Sequence, residues 1–194
     1  MRLVARRLQL NNGQWCALCS PEPSEAAQRI AFLRRVSAET SFMARSASDS
    51  PADAALAAEI IADQLEDDRA LEIAAWPDDR MIACGSIGRI ASAYPRKRHR
   101  AQLGVAVLRE YWGLGLATAI LRALIDAAPS MGYAQIELSV VSENARALNL
   151  YRRLGFREMG RIPDALRLDD GRPMDEILMF LKLENGYERK TEML

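Results

Sequence analysis

Two residue spacings in this sequence could do chemistry. In the first, Val105-Ala-Val-Leu-Arg-Glu-Tyr-Trp-Gly-Leu-Gly-Leu-Ala-Thr-Ala-Ile-Leu121, an apolar strand pattern runs through Gly113 and Gly115 into a helical pattern. A strand that turns into a helix N-terminus aims several backbone N–H groups in one direction. The helix dipole adds partial positive charge there, so such a turn suits an anion of the pyrophosphate kind. In the second, Ser142-Glu-Asn-Ala-Arg-Ala-Leu-Asn-Leu-Tyr-Arg-Arg-Leu-Gly-Phe156, Asn144 and Tyr151 are seven residues apart. That is two helical turns, so they share a face with Leu148 between them. Asn144 suits the N-cap of that helix. Tyr151 can supply a phenol proton, with an ordinary pKa of about 10.

The glycine spacing alone admits several readings. A dinucleotide fingerprint needs G-x-G-x-x-G, yet Thr118 stands where its third glycine belongs. A P-loop is excluded because no Gly-Lys-Ser/Thr follows. A tight strand-to-helix connection with no ligand also satisfies the pattern. Metal chemistry has little to work with. Cys16, Cys19 and Cys84 are the three cysteines and His99 is the single histidine, short of the four ligands of a closed zinc site. An odd cysteine count also argues against a disulfide framework.

The elements that would carry these residues follow in order. Leu3–Leu10 and Gln14–Leu18 flank Asn11-Asn12-Gly13, a hairpin signal. Ser24 suits the N-cap of a helix running to Val36, and 38–50 is polar enough to be a loop. Pro51 sits at the start of a second helix, Ala52–Glu66. Leu71–Trp76 and Met81–Ile90 flank a turn at 77–80, and Gly85 and Gly88 suggest a bulge or a close approach. Arg98–Leu108 is the next strand. A helix follows at about Leu114–Ala127, with Ile120, Leu121, Leu124 and Ile125 as its apolar stripe. Ala134–Val141 alternates, with Ile136, Leu138 and Val140 on one face and Gln135, Glu137 and Ser139 on the other. Asn144–Leu154 is helical and Gly155 suits its left-handed end. Phe156–Ile162 and Glu176–Leu183 close the chain as strands, and 184–194 is a charged tail that can fray. Strands alternating with helices imply an α/β fold, more narrowly an α+β sandwich around a central sheet. Length is that of one domain over 1–194, with its core at about 8–183.

Composition narrows the partners. Lys plus Arg and Asp plus Glu are 26 each, so net charge lends no support to nucleic-acid or membrane binding. The run Pro95-Arg-Lys-Arg-His-Arg100 is a local exception, either a solvated strand start or a basic rim near an anion. There is no signal-peptide core and no stretch of the ~20 apolar residues that a membrane span needs. A cytoplasmic protein is expected, and a homodimer stays open.

Taken together, Val105-x-Val-x5-Gly113-x-Gly115-x-Ala117 and Asn144-x6-Tyr151-x3-Gly155-Phe156 resemble the GNAT superfamily of N-acetyltransferases. The order of elements is similar along nearly the whole chain. The resemblance implies a mixed, largely antiparallel sheet with two splayed parallel strands and helices on both faces. It implies acetyl-coenzyme A as the acyl donor. Backbone groups of Val105, Ala106 and Val107 would take the pantetheine arm like an added strand. The turn formed by Trp112, Gly113, Leu114, Gly115, Leu116, Ala117 and Thr118 would take the pyrophosphate. Asn144 would bond the arm, and Tyr151 would face the sulfur as general acid. Transfer would be direct, from thioester to a neutral amine, with a strand N–H near Val107 stabilising the oxyanion.

The sequence departs from the family pattern at Trp112, where Arg or Gln is usual, and at the general base. Glu137, Glu110, His99 and Asp175 are the candidates; a water chain, or an amine already neutral, would serve instead. The acceptor should meet Glu39 and Phe42 in the early loop and residues 160–175. A primary amine on a small molecule or amino acid is the leading acceptor. A protein or peptide N-terminus, a non-catalytic acyl-coenzyme A sensor, and a nucleotide-binding module are the alternatives.

Overall fold

The Asn11-Asn12-Gly13 turn is closed by hydrogen bonds from Leu10 N–H to the Gln14 carbonyl and from Gly13 N–H to the Leu10 carbonyl, both at 2.8 Å. Gly13 sits at φ +88°, a conformation that only glycine adopts cheaply. The turn joins β1 (Arg6–Gln9) to β2 (Trp15–Cys19) in an antiparallel hairpin. The computed structural model describes residues 1–45, 49, 53–90 and 94–183. The expected charged tail at 184–194 lies outside these residues, as do Pro51 and Ala52.

The remaining elements are α1 (Ala26–Glu39), α2 (Ala54–Glu66), β3 (Leu71–Trp76), β4 (Ala83–Arg89), β5 (Arg100–Val107), α3 (Leu116–Ala127), β6 (Gln135–Val141), α4 (Ala145–Arg153), β7 (Arg157–Arg167) and β8 (Pro173–Lys182). The strands follow the hydrogen-bonding order β1-β2-β3-β4-β5-β6-β8-β7. The β1-β2, β2-β3, β3-β4, β6-β8 and β7-β8 pairs are antiparallel, and β5-β6 is parallel. The architecture is therefore the expected mixed α/β sheet. The chain gathers into two compact units. The first is Met1–Gly88 with Gly104–Asp126, the second Arg89–Leu103 with Ala127–Leu194, and the boundary falls inside β5.

In the first unit β3 is buried along its whole length, as a strand covered on both faces must be. The alternation of β4 shows what covers it. Cys84 donates its thiol to Glu72 Oε1 on β3 at 3.1 Å, and Arg29 of α1 donates Nε to the same oxygen at 2.7 Å. That face of the strand pair looks toward α1. Gly85 points the other way, toward α3: a methyl group there would stand 2.6 Å from Ile120 Cγ2 and 3.2 Å from Leu124 Cδ1. The expected close approach is thus real at Gly85, whereas Gly88 has open space. α1 and α2 pack through Ala26, Ile30, Ala57 and Ile61. Of the stripe read on α3, Ile120, Leu121 and Leu124 are fully buried, and Ile125 is half-buried.

At α1 and α2 the boundaries differ from the sequence reading. Ser24 is not the N-cap of α1. Pro23, preset for a first helical turn, starts a short 3₁₀ segment at Pro23–Glu25, capped reciprocally by Glu22 and Glu25. α1 then runs on through Glu39, so Ala38 and Glu39 are helical rather than loop. α2 is capped by Asp53, whose carboxylate accepts the N–H groups of Ala55 and Leu56 at 2.8 and 3.3 Å.

In the second unit β6 lies between β8 and the first residues of β5, which pair as Arg100↔Gln135, Ala101↔Ile136 and Gln102↔Glu137. The two closing strands form a β7-β8 hairpin that turns at 168–172, each strand running further toward the turn than the expected Ile162 and Glu176. Its register shifts between Ile162 and Leu166, where Asp164 takes φ +47°. α4 ends in Gly155 at φ +91°, as read from the sequence. No helix among the described residues is long and apolar enough to cross a membrane.

Candidate functional site

The glycine turn follows directly from its residues. A short 3₁₀ segment, Arg109–Tyr111, lifts the chain out of β5. Gly113 at φ +82° and Gly115 at φ +90° then reverse it into α3. The first carbonyl taken up by the helix is that of Gly115, which accepts the Ala119 N–H at 3.0 Å. The N–H groups of Leu116, Ala117 and Thr118 therefore precede the helical ladder. Gly113 is exposed, and a methyl group on it would meet nothing within 4 Å. The residues present thus fit an anion: unladdered N–H groups at a helix N-terminus beside an open, side-chain-free turn.

The turn is held from several directions. Trp112 donates its indole N–H to the Val107 carbonyl at 2.7 Å, and the Arg109 guanidinium lies 5.5 Å over the Trp112 ring. The next peptide N–H, that of Leu108, donates to the Ile82 carbonyl at 3.0 Å. The Val107–Leu108 peptide is therefore engaged at both ends. The Val107 N–H, on the same side as its own carbonyl, belongs to the preceding peptide. Glu39, expected to meet the acceptor, accepts the Arg109 N–H at 2.7 Å and Arg35 Nε at 2.9 Å. It closes α1 rather than sitting in a loop. Glu110, a candidate base, lies 3.2 Å from both Arg35 and Arg80, and Arg80 also donates to the Tyr111 hydroxyl at 2.9 Å. Phe42 is half-buried, and its N–H donates to Thr40 Oγ1 at 3.1 Å.

Asn144 and Tyr151 lie in the second unit. Asn144 caps α4 as expected: its Oδ1 accepts the Ala147 N–H at 3.1 Å. That cap uses the oxygen only, so the Nδ2 donors take no part in it. Tyr151 is buried beside Leu148 and meets Phe156 edge-on, with ring centroids 5.7 Å apart. Burial disfavours the phenolate and pushes the Tyr151 pKa up to about 12.

The other candidate bases in this unit already have partners. Glu137 is buried on β6, and Arg100 holds both its carboxylate oxygens while Gln135 Nε2 donates to Oε1 at 2.6 Å. The Arg100 hydrogen bonds, outweighing burial, hold the Glu137 carboxyl below its ordinary range. Its burial departs from the alternation read for β6, because Arg100 of the neighbouring strand covers the polar face. Asp175 accepts the Asp164 N–H at 2.9 Å and Arg161 Nε at 2.7 Å, and these bonds lower its pKa. His99 lies just before β5, its carbonyl accepting the N–H groups of Ala134 and Gln135 at 2.8 and 3.2 Å. Cys16 and Cys19 are free and three residues apart on β2, hence on opposite faces and unsuited to one metal.

Sequence reasoning missed Asn11, Arg35 and Arg80 around the turn. Asn11 was visible only as a hairpin residue; a contact spanning 102 positions leaves no local pattern.

The geometry agrees with a family signature. Residues 31–156 match the sequence pattern of the acetyltransferase (GNAT) family. The chain belongs to that family. Among curated relatives, an N-alpha-acetyltransferase of Sulfurisphaera tokodaii is 40% identical over 58 residues, covering 29% of this chain and 35% of that protein. N-alpha-acetyltransferase 30 of Schizosaccharomyces pombe is 34% identical over 94 residues, covering 45% of this chain and 63% of its own length. The matches thus span less than two-thirds of either relative. Among solved structures, a GNAT-family acetyltransferase from Streptococcus pneumoniae superposes with a TM-score of 0.81 at 25% identity, covering 87% of this chain and 99% of that one. A GNAT phosphinothricin acetyltransferase from Sinorhizobium meliloti, solved with acetyl-coenzyme A, gives 0.77 at 17% identity over 96% of both chains. At that identity the likeness is one of fold alone.

Proposed function

We propose that this GNAT protein moves an acetyl group from acetyl-coenzyme A to a primary amine by direct transfer. The observation that carries the reading is the strand-to-helix turn with both glycines at positive φ and open N–H groups, lying within the family match. The donor would supply an activated thioester. In the first unit the N–H groups of Gly113 to Thr118 would hold its pyrophosphate and the backbone of Val105 to Val107 its pantetheine arm; in the second unit the family resemblance gives the Asn144 Nδ2 donors a part in binding coenzyme A. The Val107 carbonyl is already engaged by Trp112, so the N–H of Val107 is the group left to face a developing oxyanion. Tyr151 carries its proton at neutral pH as any phenol does; burial pushes its pKa up to about 12, which makes it a weaker acid but leaves its O–H able to donate a hydrogen bond to a departing sulfur.

A carboxylate base is less well supported. Glu137, Glu110 and Asp175 are each bound by arginine. For Glu137 and Asp175 those bonds lower the carboxyl pKa and with it the readiness to take a proton. An amine that arrives neutral, or that passes its proton to water, fits these residues better.

The acceptor is read as the amine of a small molecule or amino acid, with Glu39 to Phe42 in the first unit and residues 160–175 in the second as the residues expected to meet it. A peptide N-terminus is the second reading, favoured by the N-alpha-acetyltransferase names of the two relatives. One experiment addresses both. Thiol release from acetyl-coenzyme A is followed with free amino acids, small amines, and short peptides with free or blocked N-termini. Turnover with free amino acids or amines supports the first reading, and turnover only with free-N-terminal peptides supports the second. A folded protein that binds coenzyme A yet turns over with none of them sinks the transferase reading in favour of a sensor.

A further inference from the structure

Asn11, in the hairpin turn, bonds across to the glycine turn 102 residues away in sequence. Asn11 Nδ2 donates to the Gly113 carbonyl at 3.2 Å, and the Asn11 backbone N–H donates to the Leu114 carbonyl at 3.2 Å. The same side chain packs under Gly115: a methyl group on Gly115 would stand 3.5 Å from Asn11 Oδ1. Two successive carbonyls of the turn are therefore pinned toward the hairpin.

A trans peptide is planar, with its C=O and the following N–H pointing in opposite directions. Fixing the Gly113 carbonyl on Asn11 fixes the Leu114 N–H away from it. Fixing the Leu114 carbonyl does the same for the Gly115 N–H. Glycines at positive φ are conformationally permissive, so without these bonds both peptides could rotate. Donors that must be ordered on binding cost affinity.

We propose that Asn11 is a positioning residue that presets the Leu114 and Gly115 N–H groups for the pyrophosphate. The proposal rests on the donor-site reading above. Asn11 touches no ligand itself; it acts through two peptide planes.

The test compares two acyl donors on the same protein: acetyl-coenzyme A, and S-acetylpantetheine, which lacks the pyrophosphate and nucleotide. For Asn11→Ala, the KM for acetyl-coenzyme A and the Kd for coenzyme A should rise about tenfold, the scale of one lost oriented hydrogen bond. The kcat at saturating acetyl-coenzyme A should hold, and so should kcat/KM with S-acetylpantetheine. Asn12→Ala is the control for hairpin integrity. Asn12 Oδ1 accepts the Gln14 N–H at 3.1 Å within the same turn but makes no bond to the glycine turn. It should leave both donors unaffected. Where Asn11→Ala folds poorly, Asn11→Asp keeps the shape and the backbone bond while replacing the Nδ2 donor by an acceptor, and it should show the same selective loss.

Equal losses with both donors, or a coenzyme A affinity matching wild type in a folded Asn11 variant, would overturn the proposal while leaving the donor-site reading intact. A wild-type protein that binds no coenzyme A removes the donor-site reading, and this proposal with it.

Discussion

Arg100 Nη2 stands 2.6 Å from Glu137 Oε2, and Arg100 Nε bonds the other oxygen of the same carboxylate. The pair bridges the parallel strands β5 and β6 where they are in register. It assigns Glu137 a structural job. Glu137→Gln should leave the half-exposed Arg100 without its counter-charge and cost about 2 kcal/mol, less than a fully buried pair because Arg100 is partly solvated. Turnover per folded molecule should change little. A normal melting temperature with a collapsed kcat would instead mark Glu137 as the base.

The same pair carries a pH signature. The folded pKa of Glu137 lies below its ordinary 4.5. Its stabilisation is therefore present above about 4.5 and is lost as pH falls through the folded value. Melting temperature against pH from 3 to 6 should fall more steeply on the acid side for wild type than for Glu137→Gln. Parallel curves would refute the assignment.

Tyr151 gives the opposite slope. Its phenol ionises near 10 in the unfolded chain but at about 12 in the folded one. Between those values the unfolded state loses a proton that the folded state keeps, so stability present below pH 10 declines toward pH 12, by about 3 kcal/mol in full. Tyr151→Phe should flatten that decline, keep coenzyme A affinity, and lower kcat by about 10²–10³ as a lost general acid does. Unchanged turnover in the variant would remove Tyr151 from the chemistry.

The glycine turn and the α4 cap were legible because each part is local. Positive-φ glycines, a helix start, a cap and a two-turn spacing are all written in contiguous residues, and the structure places each of them as read. What could not be read is what folding brings from afar. The position of Glu39 at the end of α1, its bond to the Arg109 N–H, and the Arg35 and Arg80 contacts on Glu110 depend on how far a helix runs and what it lands against. Alternation assigned Glu137 to a polar face without revealing that Arg100 would cover it. The strands flanking the turn at 168–172 were read too short because Asp164 and the register shift break the period-2 signal.

Asn144 separates capping from binding. Asn144→Asp keeps an oxygen for the Ala147 N–H and should melt near wild type, whereas Asn144→Ala should lose about 1 kcal/mol with the cap. Both remove the Nδ2 donors, so both should weaken coenzyme A binding. Calorimetric titration alongside thermal melts checks the pair. If Asn144→Asp binds coenzyme A like wild type, Asn144 is a cap and nothing more.

Gly85 tests how closely α3, the helix that ends the glycine turn, is seated on the sheet. A methyl group at Gly85 would stand 2.6 Å from Ile120 Cγ2 and 3.1 Å from the Gly104 carbonyl. The isoleucine end can shift, but the backbone oxygen belongs to β5, the strand that leads into the turn. Gly85→Ala should therefore cost about 2 kcal/mol as overpacking. Because α3 and β5 flank the glycine turn, it should also raise the KM for acetyl-coenzyme A. Gly88→Ala on the same strand meets nothing within 4 Å and should melt within about half a kcal/mol of wild type. Equal melting temperatures for the two variants would mean that α3 is seated less tightly than this contact requires.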